Sequence, residues 1–214
     1  MSLVIAIDGP AAAGKGTLAK RLAAHFNLPH LDTGLLYRAT GRRVLDAGGE
    51  PSDAATAEAA ARALLPEDFS RADLRGPEAD AAAAAVASIP AVRAALLDFQ
   101  RTFGAERGAV LDGRDIGTIV FPNARAKLFV TASAEARGRR RWLELRGRGI
   151  AADLNEVTDQ VRLRDQQDRD RAAAPLVPAA DAMLLDTTDL DADATFAHAL
   201  ALLAPRLGTA GRGR

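Results

Sequence analysis

A run of small residues around one lysine, close to the N-terminus, restricts the fold of this chain more than any other feature. The run consists of Gly9, Pro10, Ala11, Ala12, Ala13, Gly14, Lys15, Gly16 and Thr17, and it follows an apolar stretch at residues 3–7. A buried strand, a turn of small residues and a helix form the context in which a phosphate-binding loop, the P-loop, occurs. Small side chains let backbone N–H groups approach phosphate oxygens, and the helix directs its positive end at the same anion. The sequence therefore predicts a P-loop; the alternative is a Gly/Ala turn with a surface lysine.

Two side chains of this loop carry the predicted chemistry. Lys15 is one of three lysines in a chain with 28 Lys and Arg residues, and its ammonium would lie between the outer phosphates of ATP. The hydroxyl of Thr17 would bind Mg²⁺. The general pattern places Ser or Thr directly after the lysine, whereas Gly16 intervenes here, as it does in nucleoside monophosphate kinases.

Composition limits the classes of protein to which this chain can belong. Its 214 residues suffice for one domain, and 28 basic residues balance 28 acidic ones. A zero net charge argues against a protein that coats nucleic acid or an anionic membrane. The chain has no cysteine, and no apolar run approaches the length of a membrane span. We therefore expect a cytoplasmic enzyme that binds neither nucleic acid nor membranes.

Strand patterns alternate with helical patterns along the chain, which predicts an α/β fold with a parallel sheet covered by helices. Further strands are predicted at residues 109–111, 126–131 and 182–185, and helices at 17–26, 133–145 and 193–203, with Pro205 beyond the last helix. Residues 208–214 are expected to form a disordered tail. No linker divides the chain, so one domain is predicted.

Two stretches depart from this alternation. Residues 46–92 are rich in Ala, Asp and Glu and are broken by prolines, which predicts short helices with little apolar surface to bury. Residues 137–171 are dense in charge and poor in large apolar groups apart from Trp142, for which we expect a packing role. Such a segment is expected to pack weakly and to move. Arg139, Arg140 and Arg141 in this segment either contact a ligand or reflect the arginine-rich composition.

Three other clusters are candidates for a second anion site. Residues 31–38 follow the first helix, and residues 112–118 come directly after a strand, where open α/β sheets place ligands. Arg164, Asp168 and Arg171 are spaced to share one helix face. The alternatives are a solvated face with ion pairs for these three, and a strand end with a capped turn for Asp112 and Asp115.

Together with the P-loop, these clusters resemble the bacterial cytidylate kinases, a family of P-loop nucleoside monophosphate kinases. The resemblance extends from Ile5 to about Leu203 and is most specific at residues 8–10, 112–118 and 171–182. It implies a three-layer α/β/α domain over residues 1–214 with a five-stranded parallel sheet. Residues 46–92 would be the monophosphate-binding insert and residues 137–171 a mobile lid. It also implies an enzyme that uses ATP and Mg²⁺ to phosphorylate CMP and dCMP, and we expect a monomer.

The resemblance implies catalytic and phosphate-binding roles for a few basic residues. Arg38, Arg114 and Arg164 would bind the acceptor phosphate. Lys15, Arg114 and Arg164 would neutralise charge on the transferring phosphoryl group.

The same resemblance implies how the nucleoside is held. Thr33, Asp168 and Arg171 would contact the sugar, while Arg93 and Asp115 would read the cytosine. Asp115 favours a base that carries an exocyclic amine, although UMP, AMP and shikimate stay open as acceptors. A P-loop switch or a nucleic-acid remodelling module is the alternative from another class of protein.

Two features depart from the family pattern. The insert is shorter than in the longer bacterial forms, and only residues 69–75 could be a remnant of the small β-sheet found there. An alanine run at 81–85 replaces a hydroxyl that often faces the base, so we expect one base contact fewer. The histidines are too dispersed for a catalytic triad or a metal site: they are His25, His30 and His198.

Overall fold

A five-stranded parallel sheet forms the centre of the computed structural model, which describes residues 2–207. The strands are β1 Val4–Asp8, β2 His30–Asp32, β3 Ala109–Gly113, β4 Ala126–Thr131 and β5 Met183–Asp186. Their spatial order is β2-β3-β1-β4-β5, with β1 paired in parallel to both β3 and β4. Every residue of β1 is buried, as expected of a central strand covered on both faces. The predicted α/β class and sheet are confirmed, whereas the predicted tail lies outside the described residues.

Eight helices connect and cover the strands within the described part of the chain. They are α1 Lys15–Phe26, α2 Thr33–Asp46, α3 Ala54–Arg62, α4 Pro77–Ala87, α5 Pro90–Arg107, α6 Ala134–Gly147, α7 Leu154–Asp170 and α8 Ala192–Leu207. A 3₁₀ turn covers Pro66–Ser70 and a π-helical turn covers Ile116–Val120. Over residues 2–207, no single helix is both long and apolar enough to cross a membrane. Helices α4 and α5 have the required length and apolar composition only when they are taken together, and they meet at a bend of 97°.

The chain forms two compact units. The first unit comprises Met1–Leu31 and Gly104–Arg214, and the second comprises Asp32–Phe103. In the first unit, α1 and α8 pack on the sheet around a core whose fully or almost fully buried members include Ile5, Ile7, Leu18, Leu22, Leu128 and Leu203. Because the strand before the P-loop belongs to this core, the start of the loop is anchored in the most buried part of the unit.

The second unit has an apolar core of its own. Its buried members are Leu36, Val44, Ala57, Ala61, Val86, Ile89, Val92 and Leu96. Helices α2 and α4 approach closely, because a Cβ added at Gly41 would lie 2.8 Å from the Cβ of Ala82. The expectation that residues 46–92 bury little apolar surface is therefore wrong. Small residues at Gly41 and Ala82 let two helix backbones come close together, and this approach allows scattered Val, Leu and Ile side chains to form one core.

Helices α6 and α7 form a hairpin in the first unit that is better packed than its composition suggests. The buried guanidinium of Arg137 donates to both carboxylate oxygens of Asp165, at 2.9 and 2.5 Å. Gly138 is needed where the helices cross, since a Cβ there would lie 2.2 Å from the hydroxyl of Thr158. Weak packing was the wrong expectation for this segment, because a charged pair replaces the missing apolar contact. As expected, Trp142 packs within the hairpin, and its Nε1 donates to the carbonyl of Ala152 at 3.0 Å.

Several details of the predicted elements differ from the structure. Helix α1 begins at Lys15 instead of residue 17, because the lysine and Gly16 already form its first turn. Helix α8 continues through Pro205 to Leu207. Leu203 and Leu207 both pack on the core, and this packing offsets the backbone hydrogen bond that proline removes. Residues 69–75, all of which the structure describes, contain no strand.

Candidate active site

The loop after β1 has the tight, left-handed course that its small residues predict. Gly9 has φ 146°, and a Cβ at this position would lie 1.9 Å from the carbonyl oxygen of Val130. Gly14, which precedes α1, has φ 90°. Ala12 adopts φ 58°, a conformation that costs energy for a residue other than glycine. Because only small residues line this loop, its backbone is open to a ligand at the N-terminus of α1.

The side chain of Lys15 folds back over the loop. It is 6 % exposed, and its Nζ donates to the carbonyl of Pro10 at 2.7 Å. The loop is also held from outside, because the hydroxyl of Thr187 donates to the carbonyl of Ala13 at 3.0 Å. A surface lysine on a plain turn would be solvated, so the burial of Lys15 favours the P-loop interpretation.

Thr17 lies on the exposed side of the first turn of α1. Its hydroxyl is a hard oxygen donor of the kind that Mg²⁺ prefers. Another such oxygen is close to the loop, since Oδ2 of Asp112 lies 4.0 Å from the position that a Cβ on Gly16 would take. No group of three or more His, Cys, Asp or Glu side chains could hold a metal ion by itself in residues 2–207. The site therefore fits Mg²⁺ only in the mode in which nucleotide phosphates supply further ligands.

Four of the predicted acceptor residues cluster in the first unit. Arg114 Nε donates to Oδ2 of Asp168 at 2.7 Å, and Nη2 of Arg171 lies 3.7 Å from Oδ1 of the same carboxylate. Burial acts to raise the pKa of Asp168, but the charges of Arg114, Arg171 and Arg164 outweigh it and hold that pKa below its usual range. Asp168 is only 9 % exposed, which contradicts the alternative of a solvated helix face.

One detail of this cluster differs from the expectation. Helix α7 ends at Asp170, so Arg171 is the residue that caps it and does not continue the face of Arg164 and Asp168. The chain turns there, with φ −56° and ψ 129°, yet the guanidinium of Arg171 returns to the carboxylate of Asp168. The turn brings Arg171 to the buried carboxylate that Arg114 already contacts.

Asp115 comes directly before the π-helical turn Ile116–Val120 and is 5 % exposed. Its backbone carbonyl accepts from the N–H groups of Ile119 and Val120, at 2.9 and 3.2 Å. The first N–H groups of the turn are bonded to the carboxylate of Asp8 at the end of β1. Asp115, the residue predicted to read the base, thus adjoins a turn that is held by its own backbone carbonyl and by the carboxylate of Asp8.

The remaining predicted residues lie in the second unit. Thr33 is buried at the start of α2. The Nε of Arg38 donates to Asp80 at 3.2 Å, and its Nη1 lies 3.9 Å from Asp32. Arg93 donates to the carbonyl of Ala87 at 3.3 Å, and its guanidinium lies over the ring of Tyr37, 5.5 Å from the ring centre. Arg38 and Arg93 are both held by contacts inside this unit.

Comparison with known proteins assigns the chain to a family. A family model described as cytidylate kinase matches residues 5–204. The chain belongs to the cytidylate kinase family.

Similar members of the family align with almost the whole chain. A protein of Granulibacter bethesdensis named cytidylate kinase is 64% identical over 199 residues, which are 93% of this chain and 95% of that protein. One of Acidiphilium cryptum with the same name is 63% identical, over 94% of this chain and 95% of its own length. The crystal structure of an uncharacterized protein from Eubacterium ventriosum shares the fold, with a TM-score of 0.56 and 14% identity over 94% of this chain and 98% of that one.

For this member of the cytidylate kinase family, sequence reasoning missed the roles of three residues. These residues are Asp8, His30 and Arg137. In the structure, Nε2 of His30 lies 2.7 Å from Oδ1 of Asp112. A charged residue directly after a fully apolar strand was a usable signal for Asp8. No local signal marks Arg137 or His30, because their partners are distant in sequence.

Proposed function

We propose that this member of the cytidylate kinase family transfers the γ-phosphoryl group of ATP to CMP and to dCMP, giving ADP and CDP or dCDP. The observation that carries the proposal is the family match over residues 5–204, with 64% identity to a relative named cytidylate kinase. The P-loop geometry around Lys15 supports ATP as the donor. The reaction belongs to pyrimidine nucleotide metabolism.

The donor phosphates would bind at the loop of residues 9–17, where backbone N–H groups and the start of α1 favour an anion. The ammonium of Lys15 would move from the carbonyl of Pro10 to the outer phosphates and oppose the charge that builds up during transfer. Thr17 would hold Mg²⁺, which neutralises phosphate charge when it is bound.

The acceptor phosphate would be bound by Arg38, Arg114 and Arg164. Asp168 supports this role, because an ionised carboxylate with a lowered pKa keeps Arg114 oriented through their 2.7 Å bond. An arginine that is already oriented loses less side-chain entropy when the phosphate arrives. Arg114 and Arg164 would also stabilise the transferring group, so we propose them as catalytic together with Lys15.

The nucleoside would be bound by the other members of the predicted set. Thr33, Asp168 and Arg171 would contact the sugar. Asp115 and Arg93 would read the cytosine, the carboxylate accepting from the exocyclic amine and the guanidinium donating to the acceptor edge. The buried position of Asp115 supports this assignment, because a polar group discriminates most strongly where water cannot replace the lost partner.

The reaction requires no strong general base, because the attacking group is already an anionic phosphate oxygen. Positioning and charge neutralisation supply the catalysis. The hairpin of α6 and α7 within residues 137–171 would act as a lid that excludes water and so suppresses ATP hydrolysis. We further propose that the enzyme acts as a cytoplasmic monomer, independently of nucleic acid and membranes.

A substrate panel tests the proposal. The purified chain is assayed for ADP release with ATP and CMP, dCMP, UMP, AMP or shikimate, and the products are separated by chromatography. CDP and dCDP should form fastest, and EDTA should abolish activity until Mg²⁺ is restored. Faster phosphorylation of another acceptor than of CMP would overturn the cytidylate assignment, while ADP release without a phosphorylated acceptor would overturn the kinase assignment.

A further inference from the structure

The carboxylate of Asp8 makes a contact that the proposed mechanism does not use. Asp8 ends β1 directly before the P-loop and is 4 % exposed. Its Oδ1 accepts from the backbone N–H of Ile116 and its Oδ2 from that of Gly117, both at 2.7 Å. These are the first two residues of the π-helical turn that follows Asp115. One buried side chain therefore connects the strand before the donor loop to the turn of the acceptor side.

Only an ionised carboxylate can satisfy both N–H groups in this geometry. Each of its oxygens takes one donor, whereas an amide offers one acceptor oxygen and would turn its own N–H₂ group toward the second donor. Charge-assisted bonds of this kind are among the stronger hydrogen bonds of proteins. Burial nevertheless raises the pKa of Asp8 to about 6, with the nearby charge of Asp115 adding to the effect. The two N–H bonds and the charge of Lys15 oppose this rise, and a pKa of about 6 leaves the carboxylate ionised at neutral pH.

The absence of a side chain at Gly117 lets the turn come close enough to bond to the carboxylate of Asp8. A Cβ at this position would lie 3.2 Å from Oδ2 of Asp8 and 3.1 Å from Cδ of Lys127. These distances are tighter than ordinary van der Waals contact, so a larger residue would push the turn away from the carboxylate. The turn can therefore be displaced by changing either partner, Asp8 or Gly117.

We propose that Asp8 is a positioning residue: by holding the N–H groups of Ile116 and Gly117, it fixes Asp115 and thereby the preference for cytosine over uracil. The inference rests on the proposed function. Asp8 is not among the residues proposed to bind the donor or the acceptor. A carboxylate displaced by a fraction of an ångström loses much of its discrimination, because hydrogen-bond strength and reaction geometry both depend steeply on position.

Steady-state kinetics of Asp8→Asn test this proposal. We expect KM for CMP to rise about tenfold and the CMP-to-UMP ratio of kcat/KM to fall about tenfold, while KM for ATP changes less than about threefold. Asp191→Asn is the matched control. The backbone N–H groups of Asp193 and Ala194 both donate to the same oxygen of Asp191, its Oδ1. Because one oxygen accepts both bonds, an amide can replace that carboxylate. This control should leave all three quantities unchanged.

A structural measurement separates failure of this inference from failure of the proposed function. In the wild-type protein without nucleotides, the amide protons of Ile116 and Gly117 should resonate downfield, as N–H groups bonded to a carboxylate do. Asp8→Asn should move both resonances upfield. Gly117→Ala, which retains Asp8, should reproduce the loss of CMP preference. Unchanged amide shifts, or equal rises in KM for ATP and CMP in both variants, would overturn the positioning role even if CMP proves to be the substrate.

Discussion

At the scale of single residues, the cations proposed for catalysis are held in two different ways. The ammonium of Lys15 donates to a neutral carbonyl, that of Pro10. The guanidinium of Arg114 is bonded to the ionised carboxylate of Asp168. A neutral carbonyl gives up its donor more readily than a carboxylate does. Loss of the lysine should therefore affect the reaction far more than the fold.

Lys15→Ala should lower kcat on the order of 10³-fold with the midpoint of thermal unfolding nearly unchanged, since its charge acts chiefly on the transition state. Lys20→Ala provides the matched control, because Lys20 is an exposed lysine of the same helix. The control should retain full turnover. A Lys15→Ala enzyme with near-normal kcat would contradict the P-loop assignment.

Asp115→Ala should lower kcat/KM for CMP about tenfold to a hundredfold and reduce the CMP-to-UMP ratio with it. Cytosine presents an amine where uracil presents a carbonyl, so only cytosine loses a bond in the variant; one such bond is worth about 1–3 kcal/mol. Arg93→Ala is the comparison, since a guanidinium can donate to either pyrimidine and should affect both substrates equally. A CMP-to-UMP ratio that survives in Asp115→Ala would show that another residue reads the base.

The pKa of Asp8 predicts how stability depends on pH. Its folded-state value of about 6 lies above the ordinary 3.8, so the folded state binds this proton more tightly than the unfolded state. The stabilisation that comes from this tighter proton binding is therefore fully present below pH 3.8 and is lost as the pH rises through about 6. As the pH falls from 7 to 5, the free energy of unfolding of the wild type should rise by about 1 kcal/mol relative to Asp8→Asn. Urea unfolding of both proteins at the two pH values measures this change. If the wild type and Asp8→Asn differed in free energy of unfolding by the same amount at both pH values, the raised pKa would be excluded.

At the scale of elements, the hairpin of α6 and α7 is organised around a buried ion pair. Arg137 bonds to Asp165 across the hairpin, to the carbonyl of Ala132 at 2.9 Å and to that of Ala11 in the P-loop at 3.2 Å. Such a pair need not add net stability, but removal of one partner leaves the other charge buried and unpaired. The pair therefore makes the relation between the hairpin and the P-loop sensitive to single substitutions.

Arg137→Met should reduce the free energy of unfolding by about 3–5 kcal/mol, and the double variant Arg137→Met with Asp165→Leu should recover part of that loss. Chemical denaturation measures both values. The control is Arg162→Met, which removes an exposed ion pair between the same two helices, 2.6 Å from Glu135. That change should leave the unfolding midpoint nearly unaltered. A double variant less stable than either single variant would argue against a simple buried pair.

At the scale of the whole molecule, the residues proposed to bind ATP and the acceptor are distributed over the two compact units. The first contains the P-loop and the cluster around Asp168, and the second contains Thr33, Arg38 and Arg93. Each has its own apolar core. The proposed substrate-binding residues are therefore distributed over two units, each of which packs around its own core.

Hydrogen exchange should reveal the proposed lid. Amides of residues 137–171 should gain protection when CMP and a non-hydrolysable ATP analogue are bound together, because closure would exclude water. Core amides of α8 serve as the internal reference and should exchange equally slowly in both states. Equal protection of residues 137–171 with and without the two ligands would remove the basis for a lid.

Local and non-local features were predictable to very different degrees. The P-loop, four of the five strands and helices α1, α6 and α8 follow from local pattern, whereas the three-residue strand β2 is too short to show one and helices α2 and α5 were not predicted. The close packing of α2 on α4 and the Arg137–Asp165 pair were missed. Both depend on which surfaces meet in the folded chain. The sequence around a small residue or a charged residue does not show which distant residue it contacts.

The sequence by itself determined the strand, loop and helix of the phosphate site, because these residues are contiguous and each has the local chemistry that its position requires. Only the tertiary structure decided what supports that site. Asp8 reaches Ile116 across 108 residues of chain, and Arg114 reaches Asp168 across 54. The physical reason for the first contact is that a parallel sheet aligns the carboxyl ends of strands distant in sequence, and for the second that helix α7 folds back to the residues after β3, so these side chains meet through topology and not through spacing along the chain.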